Sequence, residues 1–177
     1  MTITHPAVTH LRIIGLAGGM RTGKDEAAKY LAVRGYRRIA LASPIKWAAS
    51  ADDGDLLKCG MPPRQIWQWL GTEGGRAIRK TIWTDLALVR MIAGNHFRGI
   101  ERYVVSDVRF PDEAEAIKSW GGRIIELRRT AAPTGDTHVS ETAVSEIKPD
   151  YVIHNEGTIH ELCAQLLAAL KEFGYAR

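Results

Sequence analysis

The chain has 177 residues, 45% of them hydrophobic, which is enough to bury a core without disulfide or metal staples. The net charge of +4 is modest, and the 16 Arg against 8 Lys form no dense basic run, which disfavours nucleic acid as the main substrate. No apolar run matches a membrane span, Met1 to His10 lacks the layout of a secretory leader, and Cys59 and Cys163 form no paired motif; a cytoplasmic protein with free thiols and no membrane partner is expected.

The first element in chain order is an apolar strand over Arg12 to Ala17. Gly18-Gly19-Met20-Arg21-Thr22-Gly23-Lys24-Asp25 follows at once, and Glu26 to Leu31 reads as helix. A strand feeding a glycine-rich turn that opens a helix aims backbone N–H groups and the positive end of the helix dipole at one point. Polyphosphate fits there, with Lys24 reaching the terminal phosphates as a point charge. The residue after the loop lysine is normally Ser or Thr, whose hydroxyl meets Mg²⁺; here it is Asp25, which would hold the ion through water or cap the helix.

Further strands are predicted at Tyr36 to Leu41, Arg102 to Ser106, Arg123 to Leu127 and Tyr151 to Ile153, with helical stretches between them. Alternating strands and helices imply a doubly wound α/β fold with a parallel sheet of about five strands. Residues 44–98 contain helical segments at Pro63 to Leu70 and Ile82 to Ile92 and read as an inserted helical lobe beside the phosphate site. Residues 129–149, rich in Thr, Ser, Pro and charge, follow the Arg128-Arg129 pair and read as a lid.

Tyr103-Val104-Val105-Ser106-Asp107 is an apolar strand ending in a carboxylate, the expected acidic partner of a phosphate loop, near Mg²⁺ and its waters. Arg109 is placed to grip a second phosphate, and Pro111-Asp112-Glu113 opens a helix with acids in its first turn. Arg128, Arg129 and Arg21 are candidates for neutralising charge on a transferring phosphoryl group. Four of the five tryptophans, Trp47, Trp67, Trp69 and Trp83, fall in the inserted lobe, with Trp120 beyond it; one of them stacking on a base is weighed against an ordinary core role. His138 is the one histidine in a suggestive setting, and no nucleophilic triad assembles.

Several blocks then occur in a recognisable order: Met20 to Asp25, Leu41-Ala42-Ser43-Pro44-Ile45-Lys46, Gln68-Trp69-Leu70-Gly71-Thr72-Glu73 and Ser106-Asp107-Val108-Arg109. Asp136-Thr137-His138-Val139-Ser140-Glu141 and Asp150 to Thr158 complete the series. The chain thereby resembles the bacteriophage-type deoxynucleoside monophosphate kinases, over nearly its whole length. The resemblance implies a P-loop NTPase-type fold and transfer of the γ-phosphoryl of ATP, with Mg²⁺, to a deoxynucleoside monophosphate. It implies that Gly18, Arg21, Thr22, Gly23, Lys24, Asp25 and Glu26 belong to the ATP loop and that Asn155, Gly157 and Thr158 lie near the ATP base. It implies an acceptor pocket from Lys46, Trp47, Arg64, Gln68, Gly71, Thr72, Trp83, Asp107, Arg109 and Glu113, with His138 and Glu141 in the lid. Lys24, Asp107 and Arg128 are then the catalytic candidates, Asp25 and Asp107 the metal-proximal ones, and a homodimer is an expectation. Where the family usually has Thr after the loop Asp, this chain has Glu26. Two alternatives stand beside this reading: a dephospho-CoA kinase, for which Asp25 is a candidate general base, and a non-catalytic ATP-binding module.

Overall fold

The computed structural model describes residues 8, 10–44, 65, 69–130 and 143–176. Strand β1 (Arg12–Ala17) leads through the glycine-rich turn into helix α1 (Lys24–Val33), and β2 (Arg37–Ile39) follows. A π-helical turn at Leu70–Gly74 runs directly into the short α2 (Gly75–Ile78), then α3 (Ile82–Arg98). The chain continues with β3 (Arg102–Val108), α4 (Pro111–Ser119), β4 (Arg123–Arg128), β5 (Tyr151–His154) and α5 (Ile159–Glu172).

All strand pairings are parallel, and the order across the sheet is β2-β3-β1-β4-β5. The loop after β1 therefore emerges between the carboxyl ends of β3 and β4, at the point where successive connections diverge to opposite sides. That crevice is where an open α/β sheet binds ligands.

The two-residue period of β1 sorts its side chains between two layers. Ile13 and Ala17 pack with Met91 of α3 and Ile117 of α4, whereas Ile14 and Leu16 pack with Leu31 of α1 and Leu166 of α5. Gly15 shares the α3/α4 face, and a Cβ there would come within 2.6 Å of Ile124 Cδ1. Helix α5 buries Leu162, Leu166, Ala169 and Leu170, the i, i+4, i+7, i+8 stripe of an amphipathic helix. Its start is fixed by Thr158, whose Oγ1 accepts from the Glu161 N–H at 3.3 Å while Glu161 Oε2 accepts from the Thr158 N–H at 2.6 Å.

Several elements differ from their sequence expectation: β2 covers only Arg37–Ile39 of the Tyr36 to Leu41 run, and β4 and β5 each run one residue further, to Arg128 and His154. β3 runs on to Val108, because one extra residue enters opposite Gly15–Ala17, where the register shifts from Val105 to Val108. Asp107 thus lies within the strand. Helix α3 continues past Ile92 to Arg98 despite Gly94, since the missing Cβ of Gly94 leaves room for the Tyr103 hydroxyl. Tyr103 uses that approach to donate to the Met91 carbonyl at 3.0 Å. Gly99, at φ 62, ends the helix, with the N–H groups of Gly99 and Ile100 returning to the carbonyls of Asn95 and Gly94.

Candidate active site

The loop geometry follows from its glycines. Gly18 has φ 134 and a Cβ there would strike the Leu127 carbonyl, so only glycine lets the loop pass this close to β4. Gly23, at φ 100, caps α1, and a Cβ there would strike the side-chain amide of Asn155. Arg21 takes a left-handed conformation at φ 61. Lys24 donates Nζ to the carbonyls of Gly18, at 2.6 Å, and Gly19, so its ammonium is folded back over the loop. Thr22 is buried, its hydroxyl donating to the Gly19 carbonyl at 2.9 Å.

Asn155, just past β5, holds this loop from the far side of the chain. Its main-chain N–H donates to the Arg128 carbonyl at 2.8 Å and its side-chain amide to the Thr22 carbonyl at 2.9 Å. Next to it, Glu156 Oε1 accepts from both the N–H and the hydroxyl of Thr130 at 2.7 Å, and these bonds hold its carboxyl below the usual range. The end of β4 and the turn after β5 are therefore one hydrogen-bonded unit. Gly157 packs against the Glu161 carboxylate and Thr158 serves as the helix cap.

On the other side of β1, both Asp107 oxygens accept main-chain bonds, from Leu41 at 2.7 Å and Ala42 at 3.0 Å. The carboxylate of β3 thus anchors the segment leading to Lys46. Asp25 pairs with Arg38, and Glu26 with Lys29 at 2.6 Å. Among the described residues no cluster of three or more His, Cys, Asp or Glu is arranged to hold a metal ion. Asp25 and Asp107 supply the hard oxygen donors that suit Mg²⁺, which commonly takes one or two carboxylates and completes its shell with substrate phosphates and water.

The opening of α4 carries a charge network centred on the buried Glu113, in which Arg109, Asp112 and Glu113 stand out in the sequence and Arg76 does not. Glu113 Oε2 accepts from the N–H groups of Arg109, at 2.8 Å, and Phe110, at 3.1 Å. Its other oxygen meets Arg76 Nη1 at 3.4 Å. Burial pushes the Glu113 carboxyl up to about 7; the two backbone bonds oppose the shift, Asp107 adds to it, and Arg76 opposes it. Arg76 also pairs with Asp112 and lies over the Phe110 ring at 4.3 Å. A cavity of about 560 Å³ beside it is lined by Arg76, Ala77, Lys80, Pro111, Asp112 and Glu115. The π-helical turn before Arg76 is pinned by Trp83, whose Nε1 donates to the Gly71 carbonyl at 3.1 Å and whose ring packs against Gly75.

Contacts thus tie Gly18 to Lys24 and both Thr22 and Gly23 to Asn155, Arg38 ties Asp25 to Ser106 beside Asp107, and Glu113 feels the Asp107 charge. Gly71 and Trp83 attach through the turn that carries Arg76. Arg109 is exposed at the mouth. Arg128, half exposed at the end of β4, donates to both Glu126 oxygens at 2.9 and 2.8 Å, two residues back on the same strand face. Lys46, Trp47, Arg64, Gln68, His138, Glu141 and the Thr72 side chain lie outside the described residues, as do Cys59 and Trp67. Trp120 is core, and Trp69 is half exposed. Arg76 and Arg38 were missed by the sequence reading; an arginine three positions after the Gly71 to Glu73 block was the available signal for Arg76, and Arg38 had none.

A parallel sheet with a phosphate-type loop between its central carboxyl ends defines an α/β protein of the P-loop kinase fold. Solved structures agree. TT1252 from Thermus thermophilus matches with a TM-score of 0.55 at 16% identity, covering 92% of this chain and 98% of that one. Dephospho-CoA kinase from Campylobacter jejuni matches with 0.52 at 12% identity, covering 90% and 96%. At these identities the likeness is one of fold.

Sequence comparison takes the assignment further. Residues 60–166 match the family profile described as deoxynucleotide monophosphate kinase. A protein of Acanthamoeba polyphaga mimivirus provisionally named deoxynucleotide monophosphate kinase is 32% identical over 89% of this chain and 95% of its own length. The deoxynucleotide monophosphate kinase of Enterobacteria phage T4 is 32% identical over 41% of this chain, and over only 30% of its own length. The chain belongs to the deoxynucleotide monophosphate kinase family, a family of phosphotransferases.

Proposed function

We propose that this protein transfers the γ-phosphoryl group of ATP to a deoxynucleoside 5'-monophosphate, giving the diphosphate for DNA precursor synthesis. The carrying observation is the loop Gly18 to Asp25, opening α1 directly after the central strand β1 with Lys24 folded over it. Family membership supports the acceptor class.

An oxygen of the acceptor phosphate attacks the γ-phosphorus, the bond to the β,γ-bridging oxygen breaks, and ADP leaves. Such a reaction needs positioning and charge stabilisation more than covalent chemistry. Lys24 exchanges its carbonyl partners for phosphate oxygens and offsets charge on the transferring group. The N–H groups of the loop and the first turn of α1 hold the donor. Asp25 and Asp107 are the carboxylates that would hold Mg²⁺ through water, and the ion would supply charge neutralisation to the phosphates. Residues 44–98 serve as the acceptor lobe and 129–149 as a lid, within one kinase domain. Glu113 and Arg109 present the acceptor, with Arg76 bracing Glu113. Action in the host cytoplasm accords with the phage and viral relatives.

Lys24→Ala tests the mechanism. Transfer falls by three orders of magnitude or so while the melting temperature stays near that of the wild type, in line with the scale of charge stabilisation in such sites. Retained turnover in a folded variant contradicts it.

A further inference from the structure

Asp25 puts a carboxylate at the start of the helix that receives the donor polyphosphate, and the structure gives it a dedicated partner. Arg38 Nη2 donates to Asp25 Oδ1 at 2.5 Å, and Arg38 Nε donates to Ser106 Oγ at 2.9 Å. The register explains the reach. Arg38 stands opposite Val104, a residue of the α1/α5 face, while its neighbour Ile39 packs on the α3/α4 face. Arg38 therefore projects toward α1, crossing β3 at Ser106. Ser106 is 4% exposed, so the anchor is a fixed point next to Asp107. The adjoining acid, Glu26, is matched separately by Lys29.

We propose that Arg38 is a positioning residue for the phosphate donor: it neutralises Asp25 and draws that carboxylate toward β2, so that polyphosphate meets a loop without net repulsion. The inference rests on reading Gly18 to Asp25 as the ATP loop and adds a residue outside the loop to its charge balance. An arginine suits the task because its planar fork serves Asp25 and Ser106 at once, where a lysine would offer a single point.

The experiment is calorimetric titration of ATP, with Mg²⁺ and with EDTA in its place. It uses the wild-type chain, Arg38→Ala, Arg38→Lys, Asp25→Asn and the Arg38→Ala/Asp25→Asn double variant. Arg38→Ala weakens metal-free ATP binding about tenfold, equivalent to 1.4 kcal/mol. Mg²⁺ narrows the loss, Arg38→Lys recovers part of it, and the double variant binds within about threefold of Asp25→Asn because the charge to be neutralised is gone. Unchanged affinity in Arg38→Ala, or a double variant as weak as Arg38→Ala alone, overturns the proposal while leaving the ATP loop intact. Absence of ATP binding by the wild-type chain overturns the loop reading and this inference together.

Discussion

Asn155 donates its side-chain amide to the Thr22 carbonyl at 2.9 Å, a buried bond between residues 133 positions apart. It ties the phosphate-type loop to the turn after β5 and fixes the loop from outside, so that the loop N–H groups are arranged before a ligand arrives. Truncation to alanine leaves the Thr22 carbonyl buried and unpaired, a loss of about 1–3 kcal/mol. Asn155→Ala therefore raises KM for ATP about tenfold with a smaller change in kcat, and Asn155→Asp, which faces the carbonyl with a carboxylate, does at least as much damage. Steady-state kinetics with ATP as the varied substrate reads both.

Gly23 answers to the same contact. Its φ of 100 disfavours any side chain, and a Cβ would also strike the Asn155 amide. Gly121 has a comparable φ of 84 with open space around it. Gly121→Ala should lose about 1–2 kcal/mol, the cost of the backbone conformation alone. Gly23→Ala should lose more and should lower ATP affinity as well. Urea unfolding of the two variants separates steric collision from backbone strain.

Glu113 makes stability depend on pH in an unusual direction. Its folded value, raised to about 7, lies above that of an unfolded glutamate, so protons bind the native state more tightly. The contribution is complete below the unfolded value of 4.5 and is lost as pH rises through about 7. Its full size is about 3 kcal/mol at 1.36 kcal/mol per unit. Glu113→Gln flattens that part of the stability–pH curve, which denaturant melts at intervals from pH 5 to 8 measure.

How much of this was legible from residues alone divides by range. Four strands are built on short apolar stretches between turn signals, and β2 is marked by Tyr36, Ile39 and Leu41 around its two arginines, so all five could be placed within a few residues. The loop Gly18 to Asp25 was legible because its chemistry is local. Strand order was not, because it depends on which helices cover which face. The bulge in β3 was hidden too, since one inserted residue leaves no mark on an apolar run. Arg128 reads from sequence as a charge offered to substrate; its pairing with Glu126 follows from a Glu two residues before an Arg on a strand, which shares its face. The Arg38–Asp25 pair bridges a strand and a helix and could come only from tertiary structure.

Asp107 bears on two parts of the site at once. Asparagine in its place keeps one acceptor and turns an amide donor toward a main-chain N–H, which costs about 1–3 kcal/mol and loosens the segment leading to Lys46. The acceptor KM rises in Asp107→Asn. Because the Asp107 charge helps raise the Glu113 carboxyl, the same variant moves the Glu113 titration to lower pH, visible in a carboxyl-resolved NMR titration.

The most direct test of the account is ADP release from Mg·ATP with each deoxynucleoside and ribonucleoside monophosphate in turn, and with dephospho-CoA as a further acceptor. Stimulation by one or more deoxynucleoside monophosphates is expected, with the matching diphosphate as product. Turnover of dephospho-CoA alone, or no stimulation by any acceptor from a chain that binds ATP, would contradict it.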